Sequence, residues 1–336
     1  MTRRSRSLLI ALVVVAPVAI CGAGVFASPT PGDSPTIAST LPPGASTPPS
    51  PDELNAAGEK SSQAPYRFEM FMEMSGLGLS IDGDTPLASG EYADGASHMV
   101  MDLSAIFASV ADQLPAELAD MEMTMEMISE GTDLYLRAPF FAAMAEDAGG
   151  AAGPLGAFVA LGDGWGYVDG STMPGMTAGQ VTGAFGVGAG DPSAFFDLLA
   201  DVEGAEAIGT EDIHGVSSTG VRAEVSFAEL LAAQGTDVSQ LPTTPGVDLA
   251  SLTLPIEVWI DKDDFVRRFV IEFSPEVFAD AAESSGQDID PEMLGGLEMS
   301  MTMEMFDYDA ADIVIEAPTD FVDITDDFIE LLEQQG

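Results

Sequence analysis

The feature that most constrains this chain is a two-residue beat of methionine. Phe68, Met70, Met72 and Met74 alternate with Glu69, Phe71 and Glu73. Met121, Met123, Met125 and Met127 alternate with Glu122, Thr124, Glu126 and Ile128, and Met299, Met301, Met303 and Met305 with Ser300, Thr302, Glu304 and Phe306. An α-helix would scatter such residues around its axis, whereas a strand places them all on one face and the mostly polar ones on the other. Met99 and Met101 repeat the pattern in a shorter run, so that thirteen of the 18 methionines lie on these strand faces.

Further strands carry the same one-sided signature. Leu134 and Leu136 follow the turn Ser129-Glu130-Gly131-Thr132, which makes 121–138 a hairpin. Leu254, Ile256, Val258 and Ile260 alternate with Glu257, Trp259 and Asp261, and Lys262-Asp263-Asp264 turns the chain back into Phe265, Phe269, Ile271 and Phe273. A pair is expected at 207–212 and 216–226 around His214-Gly215, a short strand at Trp165–Asp169 and a closing strand at Asp312–Glu316. Helical character is expected at Ser104–Leu114, Phe140–Ala148, Ser193–Val202 and Phe227–Gln234, with the rest of 149–190 a glycine-rich, pattern-poor loop. Mostly antiparallel strands interrupted by a few helices define an α+β class: a curved antiparallel half-barrel sheet wrapped over a few helices.

The termini read differently. Arg3, Arg4 and Arg6 precede an apolar run from Leu8 to Ile20, too short for a span of about 20 residues but suited to a signal-peptide core. Val18-Ala19-Ile20-Cys21 resembles a lipobox, in which Cys21 becomes the lipidated first residue, although Ile20 stands where a small residue is usual. Cleavage after Ala27 to release a secreted protein, and retention as an uncleaved anchor, are the alternatives. All three place the folded part outside the cytoplasm. The expected organisation is a leader at 1–27, a Pro/Ser/Thr-rich disordered tether at 28–65, a ligand-binding domain at 66–323, and a C-terminal helix or tail at 324–336. At about 3.1 Å per residue a proline-rich tether reaches on the order of 100 Å.

Composition excludes several classes. With 10 Lys and Arg against 56 Asp and Glu, a formal charge of −46, nucleic acid and anionic membrane surfaces repel the chain. One Cys and two His leave little for a metal centre or disulfide framework. There is no Gly-x-Ser-x-Gly elbow, and Gly186-x-Gly188-x-Gly190 lacks the strand-to-helix context of a phosphate loop. His98 and His214 read as surface or satisfied residues, and Asp261–Asp264 and Asp326-Asp327 as a hairpin turn and a helix start. No catalytic residue, metal ligand or cofactor is assigned, and the chain reads as a non-enzyme.

The methionine face has two main readings. It can be filled core, or it can line a cavity, since Met is flexible and polarizable and adapts to variable apolar shapes where Val and Ile would fix one packing. The expected lining is Phe68, Met70, Met72, Met74, Met99, Met101, Met121, Met123, Met125, Met127, Leu134, Leu136, Ile256, Val258, Met299, Met301 and Met303. Cu(I) binding by thioethers is a minor third reading.

Several short motifs together resemble the LppX/LprA/LprF/LprG-type lipoproteins of actinobacteria, relatives in fold of the carrier LolA. They are the Cys21 leader with its Pro/Thr stalk, Tyr66-Arg67-Phe68-Glu69-Met70, Asp133–Pro139, Gly164-Trp165, Leu254–Asp261 leading to Val266-Arg267-Arg268, and Asp312–Pro318. The resemblance spans roughly residues 66–323. It implies a half-open barrel enclosing an apolar cavity for the acyl chains of a lipid or lipoglycan; separately, the leader and stalk lead us to expect a monomer held at the cell membrane by a lipid on Cys21 and facing the cell wall, or else a secreted protein. The Ile before Cys21, the acidity, the Met content and the glycine-rich insert depart from that pattern.

Overall fold

The computed structural model describes residues 49–76, 79–109, 123–142, 161–172, 196, 199, 203–228, 252–275, 277 and 298–333. Its strands are β1 (Tyr66–Gly76), β2 (Leu79–Ile81), β3 (Ala88–Ala93), β4 (Ala96–Asp102), β5 (Thr124–Glu130), β6 (Asp133–Arg137), β7 (Trp165–Asp169), β8 (Glu203–Ile213), β9 (Val216–Ser226), β10 (Thr253–Asp261), β11 (Val266–Phe273), β12 (Glu298–Phe306) and β13 (Phe321–Asp323). They form a single 13-stranded sheet in the order β13-β7-β6-β5-β4-β3-β1-β12-β11-β10-β9-β8, with β2 on the side of β1. Every pairing is antiparallel except β13 with β7. The end strands β13 and β8 do not pair with each other, so the sheet is open. With helices α1 (Pro51–Gln63), α2 (Ser104–Ser109) and α3 (Thr325–Glu333), the class is α+β, as the strand periodicity implies.

Local chemistry sets the connections. Asp94-Gly95 and His214-Gly215 join their strands as two-residue turns with positive φ at both positions (52° and 79°, 48° and 81°), the type I′ geometry that matches strand twist. The β10–β11 turn is built on Asp261. Its Oδ1 accepts from the backbone N–H of Asp263 and Phe265 at 2.8 and 3.0 Å, and its Oδ2 from Arg267 Nε at 2.7 Å.

Two sequence expectations are corrected. The tether does not run to residue 65, because Pro51–Gln63 is helix. Ser50 accepts from the Glu53 N–H while the Glu53 carboxylate accepts from the Ser50 N–H, and Pro51 opens the first turn. The small and polar composition of this segment hid a capping box. Leu54 and Ala57 are buried, and Ser61 Oγ accepts from Val266 N–H at 2.9 Å, so α1 is docked on the β10–β11 hairpin. The closing strand at Asp312–Glu316 is also absent. That segment is irregular, held at Asp312 by Arg67 at 3.0 Å, and the last strand is Phe321–Asp323, parallel to β7. Strands β2 and β3 were not foreseen.

The expected Trp165–Asp169 strand is present. Helix α2 begins at Ser104, and the C-terminal helix α3 begins beside Asp326-Asp327. Most of the helices expected at 140–148, 193–202 and 227–234, the glycine-rich loop and the leader lie outside the described residues. Among the described residues no helix is long and apolar enough to cross a membrane.

Candidate apolar ligand site

Strand register decides whether the methionines share a face, because directly opposed residues of an antiparallel pair point to the same side. Met125 on β5 opposes Met101 on β4, Met101 opposes Ala88 on β3, and Ala88 opposes Met70 on β1. Met70 opposes Met303 on β12, which opposes Phe269 on β11, then Val258 on β10 and Val221 on β9. One row thus crosses eight strands, and all its members are buried. Neighbouring rows run parallel to it on the same face. One is Leu136, Met127, Met99, Gly90, Phe68 and Met305; another is Met72, Met301, Ile271, Ile256 and Ala223; the last is Met74, Met299 and Phe273.

Exposure grades along this face. The Tyr66 end is sealed by aromatics: Tyr66 stacks on Tyr92 at 5.1 Å, with Tyr308 at 5.4 Å and Phe196 at 6.0 Å. At the opposite end Met74, Met299, Met301 and Phe273 are only partly buried. Across the middle, β3 contributes small residues between methionine strands. A Cβ on Gly90 would lie 2.7 Å from the Phe68 ring, so that ring lies in the space glycine leaves.

The sequence-derived lining is therefore brought together. Phe68, Met70, Met72, Met99, Met101, Met123, Met125, Met127, Leu134, Leu136, Ile256, Val258 and Met303 are buried in one apolar cluster, with Met74 and Met301 packed against it. Met299 is placed on the same face by its register with Met74. Met121 lies outside the described residues, as does Cys21. Met305, Phe269, Ile271, Phe273 and Val221 share this face but are not among the residues expected to line it, although for the first four the alternation through 265–273 and 299–305 carries the signal.

The other face is polar and tightly paired. Arg67 binds Glu91 at 2.9 Å and Asp307 and Asp312 at 3.0 Å each, and the Asp312 carboxyl is held below its ordinary value by the hydrogen bond from Arg67. His98 and Arg137 share Glu126 at 2.9 and 3.2 Å, and Arg222 pairs with Glu257. The β8–β9 tip folds over this face. Glu211 of β8 reaches Arg268 of β11 at 2.9 Å, and the His214 ring stacks on Phe306 of β12 at 4.3 Å. Both histidines are paired with carboxylates, as expected of satisfied residues, but His214 sits among groups that sequence spacing did not connect to it.

Sheet and face together define an open antiparallel α+β domain with one continuous apolar, thioether-rich side. No family model and no curated protein matches the sequence. Among solved structures the chain is similar to the lipoprotein LppX of Mycobacterium tuberculosis, at 14% identity over 79% of this chain and 96% of that one, with a TM-score of 0.37. It is similar to LprF of Mycobacterium bovis at 12% identity over 80% and 96%, TM-score 0.38. A DUF1329 family protein of Desulfovibrio piger follows at 10% identity over 79% and 93%, TM-score 0.24. LppX and LprF are of the type that the sequence motifs resemble.

Proposed function

We propose that this chain is a non-enzymatic cell-envelope protein that binds the acyl chains of a lipid or lipoglycan along its methionine face, as a carrier or chaperone. The observation that carries the reading is the register itself: Met70 opposite Met303, Met72 opposite Met301, Met74 opposite Met299, Met99 opposite Met127 and Met101 opposite Met125. A filled core is served better by stiff branched residues; five opposed pairs of flexible thioethers suit an apolar guest of variable shape. The graded exposure favours entry at the Met74–Met299–Phe273 end, opposite the aromatic seal. Loading is driven by removal of hydrocarbon from water, at about 25 cal/mol per Å² of apolar surface, less the cost of ordering chain and guest. A lipid on Cys21 and the proline-rich segment after it would hold the domain at the membrane as a monomer facing the cell wall, with 66–323 as the binding unit and α1 docked on it.

Native mass spectrometry of the full chain, released from detergent, tests this reading. The expected result is an added mass that dissociates as an acyl lipid, or uptake of one when the protein is incubated with a long-chain fatty acid. A clean protein mass under both conditions would leave a filled-core surface module instead.

A further inference from the structure

Glu69 and Glu304 oppose each other directly across β1 and β12, on the face away from the methionines, where like charges destabilise a strand pair. The tip of the β8–β9 hairpin lies over them. His214 Nε2 is 2.9 Å from Glu304 Oε2 and 3.9 Å from Glu69 Oε2, and one ligand atom of each group lies within 4.8 Å of the other two. A tetrahedral ion with bonds of about 2.0–2.2 Å sets its ligand atoms roughly 3.3–3.6 Å apart, so small side-chain rotations gather this set around one centre.

The groups behind the set are arranged as supports. Glu304 divides its oxygens: Oε1 accepts from Arg268 Nε and Nη2 at 2.8 and 2.7 Å, which leaves Oε2 to the cluster. Arg268 is fixed in turn by Glu211 and by the Trp259 ring beneath it. The His214 ring is oriented by its stack on Phe306, 22° from parallel. The β3–β4 turn, also of type I′, uses Asp94 at the left-handed position that His214 takes here. Glu69, Glu304 and Glu211 against the single guanidinium of Arg268 leave an excess of two carboxylates beside the His214 ring, the complement of a divalent cation.

We propose that His214, Glu304 and Glu69 form a binding site for a divalent cation of the zinc class, with a fourth position for water. An imidazole nitrogen with two carboxylates suits zinc rather than calcium or magnesium, which take oxygen ligands. The ion takes the place of the Nε2–H proton that otherwise bridges to Glu304, and the ring proton then sits on Nδ1. Bound there, it clasps the hairpin tip to β1 and β12 and relieves the repulsion between the opposed glutamates.

The test is calorimetric titration of ZnCl2 into the metal-stripped full chain in detergent, with excess CaCl2 present to occupy diffuse acidic sites. One zinc per chain is expected, and Co²⁺ in its place gives the visible d–d bands of a tetrahedral nitrogen–oxygen set. His214→Gln weakens zinc binding at least about tenfold, and His98→Gln, on the same face, leaves it unchanged. Glu69→Gln is the second variant, read through the Co²⁺ spectrum should His214→Gln fail to fold. No zinc uptake in calcium, or uptake indifferent to both His214→Gln and Glu69→Gln, overturns the proposal.

Discussion

Exchanging Met74, Met299 and Met301 together for Gln separates a binding face from a filled core. These side chains are partly buried on the methionine face, and Gln nearly matches their length. Full burial of a Met side chain is worth about 1.5–3 kcal/mol. With part of that surface already covered in the free protein, roughly 1 kcal/mol per residue remains for an acyl chain to gain. The triple exchange therefore removes about 3 kcal/mol, close to a 100-fold rise in Kd. Fold stability should change little, because the new amides still reach water. Met70→Gln is the contrast: its side chain is fully buried, and burying an amide there costs about 3 kcal/mol of stability. For a domain of this size that is a fall of about 6–12 °C in Tm. The assays are displacement of a fluorescent fatty acid and thermal unfolding of the same preparations. If the triple variant binds within threefold of the parent, or loses as much stability as Met70→Gln, the exposed end is not the entry and the reasoning fails.

Three further outcomes follow from the same structure. Asp261→Ala leaves Arg267 without its partner in a pair whose side chains are 0% and 12% exposed, so a loss of about 3–5 kcal/mol is expected in urea unfolding, with Asp261→Asn milder because Oδ1 still accepts the turn N–H groups; equal effects, or a loss under about 1 kcal/mol, would contradict the turn's role. Mild peroxide should oxidise Met74, Met299 and Met301 before Met70, Met101, Met125 and Met305, as peptide mass mapping reads, and a bound fatty acid should slow the first group; uniform oxidation argues against the graded face. Glu53 is held below its ordinary carboxylate value by the Ser50 N–H, and Asp323 by the Thr325 N–H. A lowered folded value stabilises fully above the unfolded one and is lost as pH falls through the folded one, so amide exchange at Ser50 and Thr325, the donors to these carboxylates, should quicken below about pH 4 relative to mid-helix amides, and equal response would refute it.

The strands were legible because period-two alternation is local, as in Thr124–Met127 and Met299–Met305. Their neighbours were not legible. That Met70 opposes Met303, rather than a residue of some other strand, depends on pairing across more than two hundred residues. Helix α1 was missed for another reason. Its Ala, Ser, Gly and Lys residues carry little apolar pattern, and only Ser50-Pro51-Asp52-Glu53 announced it. The contiguous Ile313-Val314-Ile315 suggested a strand, yet only Ile313 is buried there and Val314 is exposed, while Arg67 holds the segment at Asp312. The grouping of Glu69, His214 and Glu304 needed the hairpin tip to fold across the sheet, which no spacing in the chain records.

The methionine side of the sheet is the proposed seat of the hydrocarbon. Photo-crosslinking the full chain with a diazirine-bearing fatty acid, followed by peptide mapping, measures that directly. Adducts are expected on β1 and β12 at Met72–Met74 and Met299–Met301 and on β11 near Phe273, diminished by unlabelled fatty acid. Adducts confined to the ion-paired face around Arg67, Glu126 and Glu257, or none above those on an unfolded control, would contradict it.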